Sequence, residues 1–77
     1  MKVSIKYCAQ WNYEPQAVSL AAKITDALGF EPRLIPEGGG VFEVAVDDEL
    51  VYSKKKTGSF PDEEQLITEL VSTYGNK

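Results

Sequence analysis

Apolar and polar residues alternate at the start of the chain, where Val3, Ile5 and Tyr7 interleave with Lys2, Ser4 and Lys6. A period of two belongs to a strand with one buried and one solvated face, so the pattern predicts a first strand running up to Cys8. From Pro15 the period changes. Ala17, Leu20, Ala21, Ile24 and Leu28 recur at spacings of three and four, with Gln16, Ser19, Lys23 and Asp26 on the opposite side. That spacing predicts an amphipathic helix. Pro15 suits its first turn, where a missing amide proton costs nothing, and Gly29 suits the left-handed position past its end, with Phe30 folding back as the contact of the cap.

The segment Glu31 to Pro36 is extended but bracketed by prolines, which fits an edge strand better than a central one. Strand, helix and strand in this spacing predict parallel pairing of the first two strands through a right-handed crossover. Glu37-Gly38-Gly39-Gly40 reads as a flexible loop. Phe42, Val44 and Val46 then alternate within Val41 to Val46, and Asp47-Asp48 turns into Glu49 to Ser53, which together predict a hairpin. Lys54-Lys55-Lys56 reads as a solvated strand end. A second helix begins near Asp62, where Asp62 and Gln65 have the form of a capping box and Glu63 and Glu64 meet the positive end of the helix dipole. Its buried stripe is predicted as Leu66, Ile67, Leu70, Val71 and Tyr74, with Gly75 as its stop. The element order is β-α-β-β-β-α. Each helix has one apolar stripe, so the expected architecture is an α/β chain of the two-layer α+β kind, with both helices on one sheet face.

Composition narrows the function classes. Seventy-seven residues with 43% hydrophobic content describe one small globular domain, 1–77. A net charge of -4 argues against a nucleic-acid binder that neutralises phosphates. The absence of histidine removes the commonest general base and the commonest metal ligand, and no cluster for metal binding remains. No apolar run approaches membrane-spanning length, and Met1-Lys2-Val3-Ser4 leads into a strand pattern without the apolar stretch of a signal peptide. A single cysteine cannot form an internal disulfide, which points to a reducing, cytoplasmic setting.

That cysteine lies beside the only tryptophan, in Tyr7-Cys8-Ala9-Gln10-Trp11. The end of a strand leading into a helix is where thiol chemistry is commonly mounted, because first-turn amides and the helix dipole favour a thiolate. Trp11 stands where a Cys-x-x-Cys motif would have its second sulfur. The bland alternatives are a buried inert thiol and an aromatic covering the helix start. The loop Gly38-Gly39-Gly40 precedes a strand and lacks the lysine-serine ending of a phosphate loop, so it reads as a plain flexible connection. Turn chemistry and helix capping account for Asp47, Asp48, Asp62, Glu63 and Glu64.

Several blocks in order resemble the selenoprotein W-like, or Rdx, family: Ile5-Lys6-Tyr7-Cys8, then Asn12-Tyr13-x-Pro15-x-Ala17, then the glycine loop with Val41-Phe42-Glu43-Val44. Leu50-Val51-Tyr52-Ser53-Lys54-Lys55 and Gly58-x-Phe60-Pro61 complete the set. The resemblance implies a thioredoxin-like fold with a four-stranded mixed sheet, a redox motif between the first strand and first helix, and thiol or selenol chemistry. It places the first redox cysteine on Cys8 and the second cysteine or selenocysteine on Trp11, where no thiol exists. Cys8 is therefore the candidate catalytic residue. Tyr7, Ala9, Gln10, Asn12, Tyr13, Gly39 and Gly40 are candidate binding residues around it. Three readings stay open: a monothiol resolved by glutathione or a partner thiol, a non-catalytic module that binds a partner protein through the Tyr7-Trp11 loop, and a Trp11 that replaces an original cysteine or selenocysteine. No tightly bound cofactor is expected, and the expected state is a monomer that forms a disulfide dimer through an accessible Cys8 on oxidation.

Overall fold

The computed structural model describes residues 2–75, so the chain ends of the expected 1–77 domain, Met1, Asn76 and Lys77, lie outside the described residues. The strands are β1 (Val3–Cys8), β2 (Arg33–Glu37), β3 (Phe42–Val46) and β4 (Glu49–Ser53), and the helices are α1 (Glu14–Leu28), α2 (Lys54–Thr57) and α3 (Glu63–Tyr74). They form one four-stranded sheet in the order β2-β1-β3-β4. β1 and β2 are parallel, and the β1-β3 and β3-β4 pairs are antiparallel. The expected mixed sheet, the parallel crossover and the edge position of β2 are all present. Pro36 is tolerated because it sits in that edge strand, opposite Tyr7.

Alternation decides what each face buries. Val3, Ile5 and Tyr7 of β1 and Phe42, Val44 and Val46 of β3 join Ala17, Leu20, Ile24, Leu66 and Leu70 in one continuous buried cluster. α1 and α3 therefore cover the same sheet face. Gly29 ends α1 in the left-handed conformation, φ 83°, and Asp62 caps α3 by accepting the backbone N–H of Gln65 at 3.1 Å. Lys23 ties the two helices at the surface through Glu64 at 2.8 Å and Glu63 at 3.3 Å.

Several expectations need correction. Lys54-Lys55-Lys56 is no loose strand end but the body of the short helical turn α2, closed by Gly58 at φ 88° and by the Thr57 hydroxyl donating to the Ser53 carbonyl at 3.1 Å. Three consecutive lysines carry no apolar period, so nothing in the pattern announced the turn. Val71 is exposed, while Leu66 and Leu70 are buried and Ile67 and Tyr74 pack at the margin of the core, so of the predicted stripe only Val71 faces away. α1 begins at Glu14, one residue before Pro15, and β3 begins at Phe42, with Val41 outside it. Among the described residues, no helix is long and apolar enough to cross a membrane.

Candidate functional site

The carboxyl ends of β1, β2 and β4 and the start of β3 meet at one end of the sheet, and Cys8 lies there as the last residue of β1. It pairs with Glu37 on one side. Extending the β1-β3 register by one step, from Tyr7 opposite Phe42, places Val41 across from it on the other. By alternation Cys8 shares the sheet face of Ser4 and Lys6, away from the helices, and both Cys8 and Val41 are buried outside the main apolar cluster. Cys8 has 0% exposure, which corrects the expectation of an accessible thiol. Two loops follow at this end, 9–13 and 38–41.

The first loop is a compact turn held by its own backbone. Ala9 N–H donates to the Glu37 carbonyl at 3.1 Å, Asn12 N–H to the Ala9 carbonyl at 3.2 Å, and Tyr13 N–H to the Cys8 carbonyl at 3.0 Å. Asn12 adopts φ 60°, a left-handed conformation that asparagine tolerates better than most residues. Cys8 is the last residue of β1, as expected, and five residues, Ala9 to Tyr13, separate it from the first turn of α1.

Trp11 lies at the apex with 61% of its surface exposed. Its ring rests on Gly40, where an added Cβ would come within 2.5 Å of Trp11 Cζ3 and 2.9 Å of Cε3. Gly40 also has φ 74°, so both its backbone and the indole above it require glycine. Gln10 reaches the neighbouring Gly38, its Oε1 being 3.7 Å from where a Cβ would stand there. Tyr13 packs edge-on against Trp11 at 6.1 Å between centroids and against Phe60 at 4.7 Å, and Phe60 in turn packs on buried Phe42 at 5.2 Å. An aromatic series thus runs from the exposed indole into the core.

Of the predicted site residues, the fold gathers Cys8, Ala9, Gln10, Trp11, Asn12, Tyr13, Gly39 and Gly40 at this end of the sheet. Tyr7 is corrected: it faces the helices, is buried, and belongs to the core and not to a binding surface. Alternation places consecutive residues of a strand on opposite faces, so Tyr7 and Cys8 cannot both serve the loop. Phe60, Lys54 and Lys55 are members of the site that the sequence reading missed. The signal for Phe60 was an isolated aromatic between Ser59 and Pro61 with no periodic partner. Lys54 stands 5.5 Å from the Tyr13 ring centroid and 5.4 Å from that of Phe60, and Lys55 Nζ lies 3.7 Å from the Cβ position of Gly39. Among the described residues, no group of three or more acidic or sulfur side chains is placed to hold a metal ion.

Comparison with known proteins agrees with this arrangement. Sheep selenoprotein W is 34% identical over 76 residues, which is 91% of this chain and 85% of that protein. Bovine migration and invasion enhancer 1 is 31% identical over 70 residues, 87% of this chain, and the chain spans 59% of that protein's length. Among solved structures, a selenoprotein W-related protein from Vibrio cholerae superposes with a TM-score of 0.85 at 24% identity, covering 94% of each chain. A protein from Bordetella parapertussis gives 0.87 at 24% identity over 94% of this chain and 95% of its own. These likenesses fix the fold as thioredoxin-like. The family model for the Rdx family matches residues 2–72, and the chain belongs to that family.

Proposed function

We propose that this protein is a gated monothiol, in which Cys8 is the only redox group and becomes reactive when the loops above it part. The observation that supports this reading is a buried thiol that stands outside the apolar core, at a strand end closed by two loops. A structural cysteine would be expected in the core; this one stands apart from it, at a strand end next to a turn and a glycine segment, which are among the least costly parts of a fold to open. In the open state the Cys8 thiolate attacks one sulfur of a disulfide, forms a Cys8 mixed disulfide and expels the other sulfur as a thiolate. An external thiolate, glutathione or a partner thiol, then attacks the sulfur that came from the substrate. It leaves joined to that sulfur, and Cys8 returns as thiolate. No net oxidation of the protein occurs, and Trp11 takes no covalent part. An intermolecular Cys8 disulfide is a slow product, because both copies must open.

The test is the reaction of the native chain with glutathione disulfide, followed by mass spectrometry. One glutathione adduct, lost on adding a second thiol and absent in Cys8→Ser, is the expected result. A native chain that stays unmodified while the same chain in denaturant is fully modified would remove the redox role.

A second reading rests on Trp11. An indole with 61% exposure, backed by Tyr13 and Phe60, is a rigid apolar anchor of the kind that dominates protein interfaces. The loop would then receive a partner protein whether or not Cys8 reacts, and a Cys8→Ser chain would keep that partner.

A further inference from the structure

The basic run is the one feature of this end of the sheet that neither reading uses. Lys54 Nζ lies over the Tyr13 and Phe60 rings, at 5.5 and 5.4 Å from their centroids, and Tyr13 stands edge-on to Trp11. Lys55 Nζ lies against Gly39, next to the Gly40 on which the indole rests. The exposed indole is thus reached by one ammonium group through Tyr13 and by another through the glycine loop. Among the described residues both ion pairs are made by Lys23, so neither Lys54 nor Lys55 has a carboxylate within pairing distance. In a chain of net charge -4, three of its eight basic residues are consecutive here. Glu43 lies on this side too, its Oε2 accepting the Ser53 hydroxyl at 3.3 Å just before α2, while Glu37 lies at the β2 edge. Lys54 and Lys55 therefore give the loop a cationic flank toward α2, with Glu43 held by Ser53 beside it.

We infer that the Trp11 face docks an acidic polypeptide segment, with an apolar side chain on the indole and carboxylates along Lys54 and Lys55. This rests on the reading that the loop receives a partner, and adds that partner's chemistry. Unpaired lysines at the rim of an aromatic anchor give orientation and fast association, while the desolvated indole supplies the holding contact. The net charge of -4 disfavours the continuous phosphate backbone of a nucleic acid.

The only tryptophan is itself the probe. The full chain is titrated with a synthetic glutamate-rich peptide carrying one central leucine and no tryptophan or tyrosine, and with the same peptide bearing glutamine at every glutamate. At about 50 mM salt the glutamate peptide is expected to shift Trp11 emission and to bind about tenfold tighter than its glutamine counterpart, an advantage that shrinks severalfold at about 0.3 M. The double variant Lys54→Gln, Lys55→Gln is expected to lose most of that preference, and Lys54→Arg, Lys55→Arg to keep it. An equal response to both peptides, or binding of a thymidine oligonucleotide as tight as that of the glutamate peptide, would overturn the acidic preference and leave the loop reading standing. Calorimetric binding of the glutamate peptide that is undiminished in Trp11→Ala would overturn the loop reading, and this inference with it.

Discussion

At the hairpin end of the sheet, Asp47 and Asp48 join β3 to β4 with φ of 50° and 71°, the signs of a type I′ turn whose twist matches the strands. Asp47 also accepts the Lys2 backbone N–H on its Oδ1 at 2.7 Å and donates its own N–H to the Lys2 carbonyl at 2.8 Å. At the Cys8 end, four chain segments converge, and what fixes them is a fit between distant residues: Trp11 on Gly40, Lys55 on Gly39, Phe60 between Tyr13 and Phe42. One end is a local turn pinned to the neighbouring strand. The other is an assembly of loops that holds a buried thiol at its base and exposes a tryptophan. The contrast teaches where this fold can yield: a short turn opens only with its strands, whereas packed loops open by losing a few contacts.

Gly40→Ala tests that contrast most severely. Alanine at φ 74° carries a backbone penalty of about 1–2 kcal/mol, and its Cβ would displace the indole. The expected loss of stability is about 1–3 kcal/mol, read by denaturant unfolding, together with a shift of Trp11 emission toward that of a solvated indole. If the loops gate Cys8, its alkylation by a small maleimide also becomes faster than in the parent chain. Unchanged emission and an unchanged alkylation rate would show that the contact neither holds the indole nor covers the thiol.

At the opposite end the expected effect is smaller and of opposite sign. Asp48 occupies the second central position of its turn, where glycine is preferred because it meets no Cβ penalty at positive φ. Asp48→Gly is expected to stabilise the chain by about 0.5 kcal/mol, the relieved strain being partly offset by the greater freedom of glycine when unfolded. It should leave Trp11 emission and Cys8 alkylation untouched. A change in either would mean that the two ends are coupled through β3.

The same division explains what the sequence disclosed. The hairpin, both long helices, the parallel crossover and the edge strand follow from periodicity and turn chemistry, because each is decided by neighbours within a few residues. Cys8 and its loop were located by their place at a strand end. The burial of Cys8 was not legible, since it is set by packing around a strand end and not by the period of its own strand. Lys54 and Lys55 look like any solvated charge run until α2 turns them toward Tyr13 and Gly39. Tyr7 was misassigned because adjacency in sequence outweighed the alternation that sends it to the opposite face from Cys8.

The smallest effect belongs to Tyr74 and concerns pH. Its hydroxyl donates to Glu49 Oε1 at 3.1 Å, joining the end of α3 to the start of β4 beside the hairpin turn. Loss of solvent around the ring, the hydrogen bond to Glu49 and the charges of Glu49 and Asp47 together raise its pKa above the usual 10.0. A raised pKa means that the fold prefers the neutral phenol. Its contribution is complete below the unfolded value and is lost as pH rises through the folded one. Lys23 behaves alike in sign, because hydrogen bonds to Glu64 and then Glu63 raise its pKa above 10.5, so its pairing with α3 also fades at high pH. The thermal midpoint should therefore fall on the alkaline side in the parent chain and fall less steeply in Tyr74→Phe, with the two curves converging as the phenol ionises. Lys23→Met in the Tyr74→Phe background should flatten the curve further. A Tyr74→Phe chain with the parent's alkaline slope would assign the loss to other groups and remove the Tyr74–Glu49 bond from the contacts that hold the hairpin end closed.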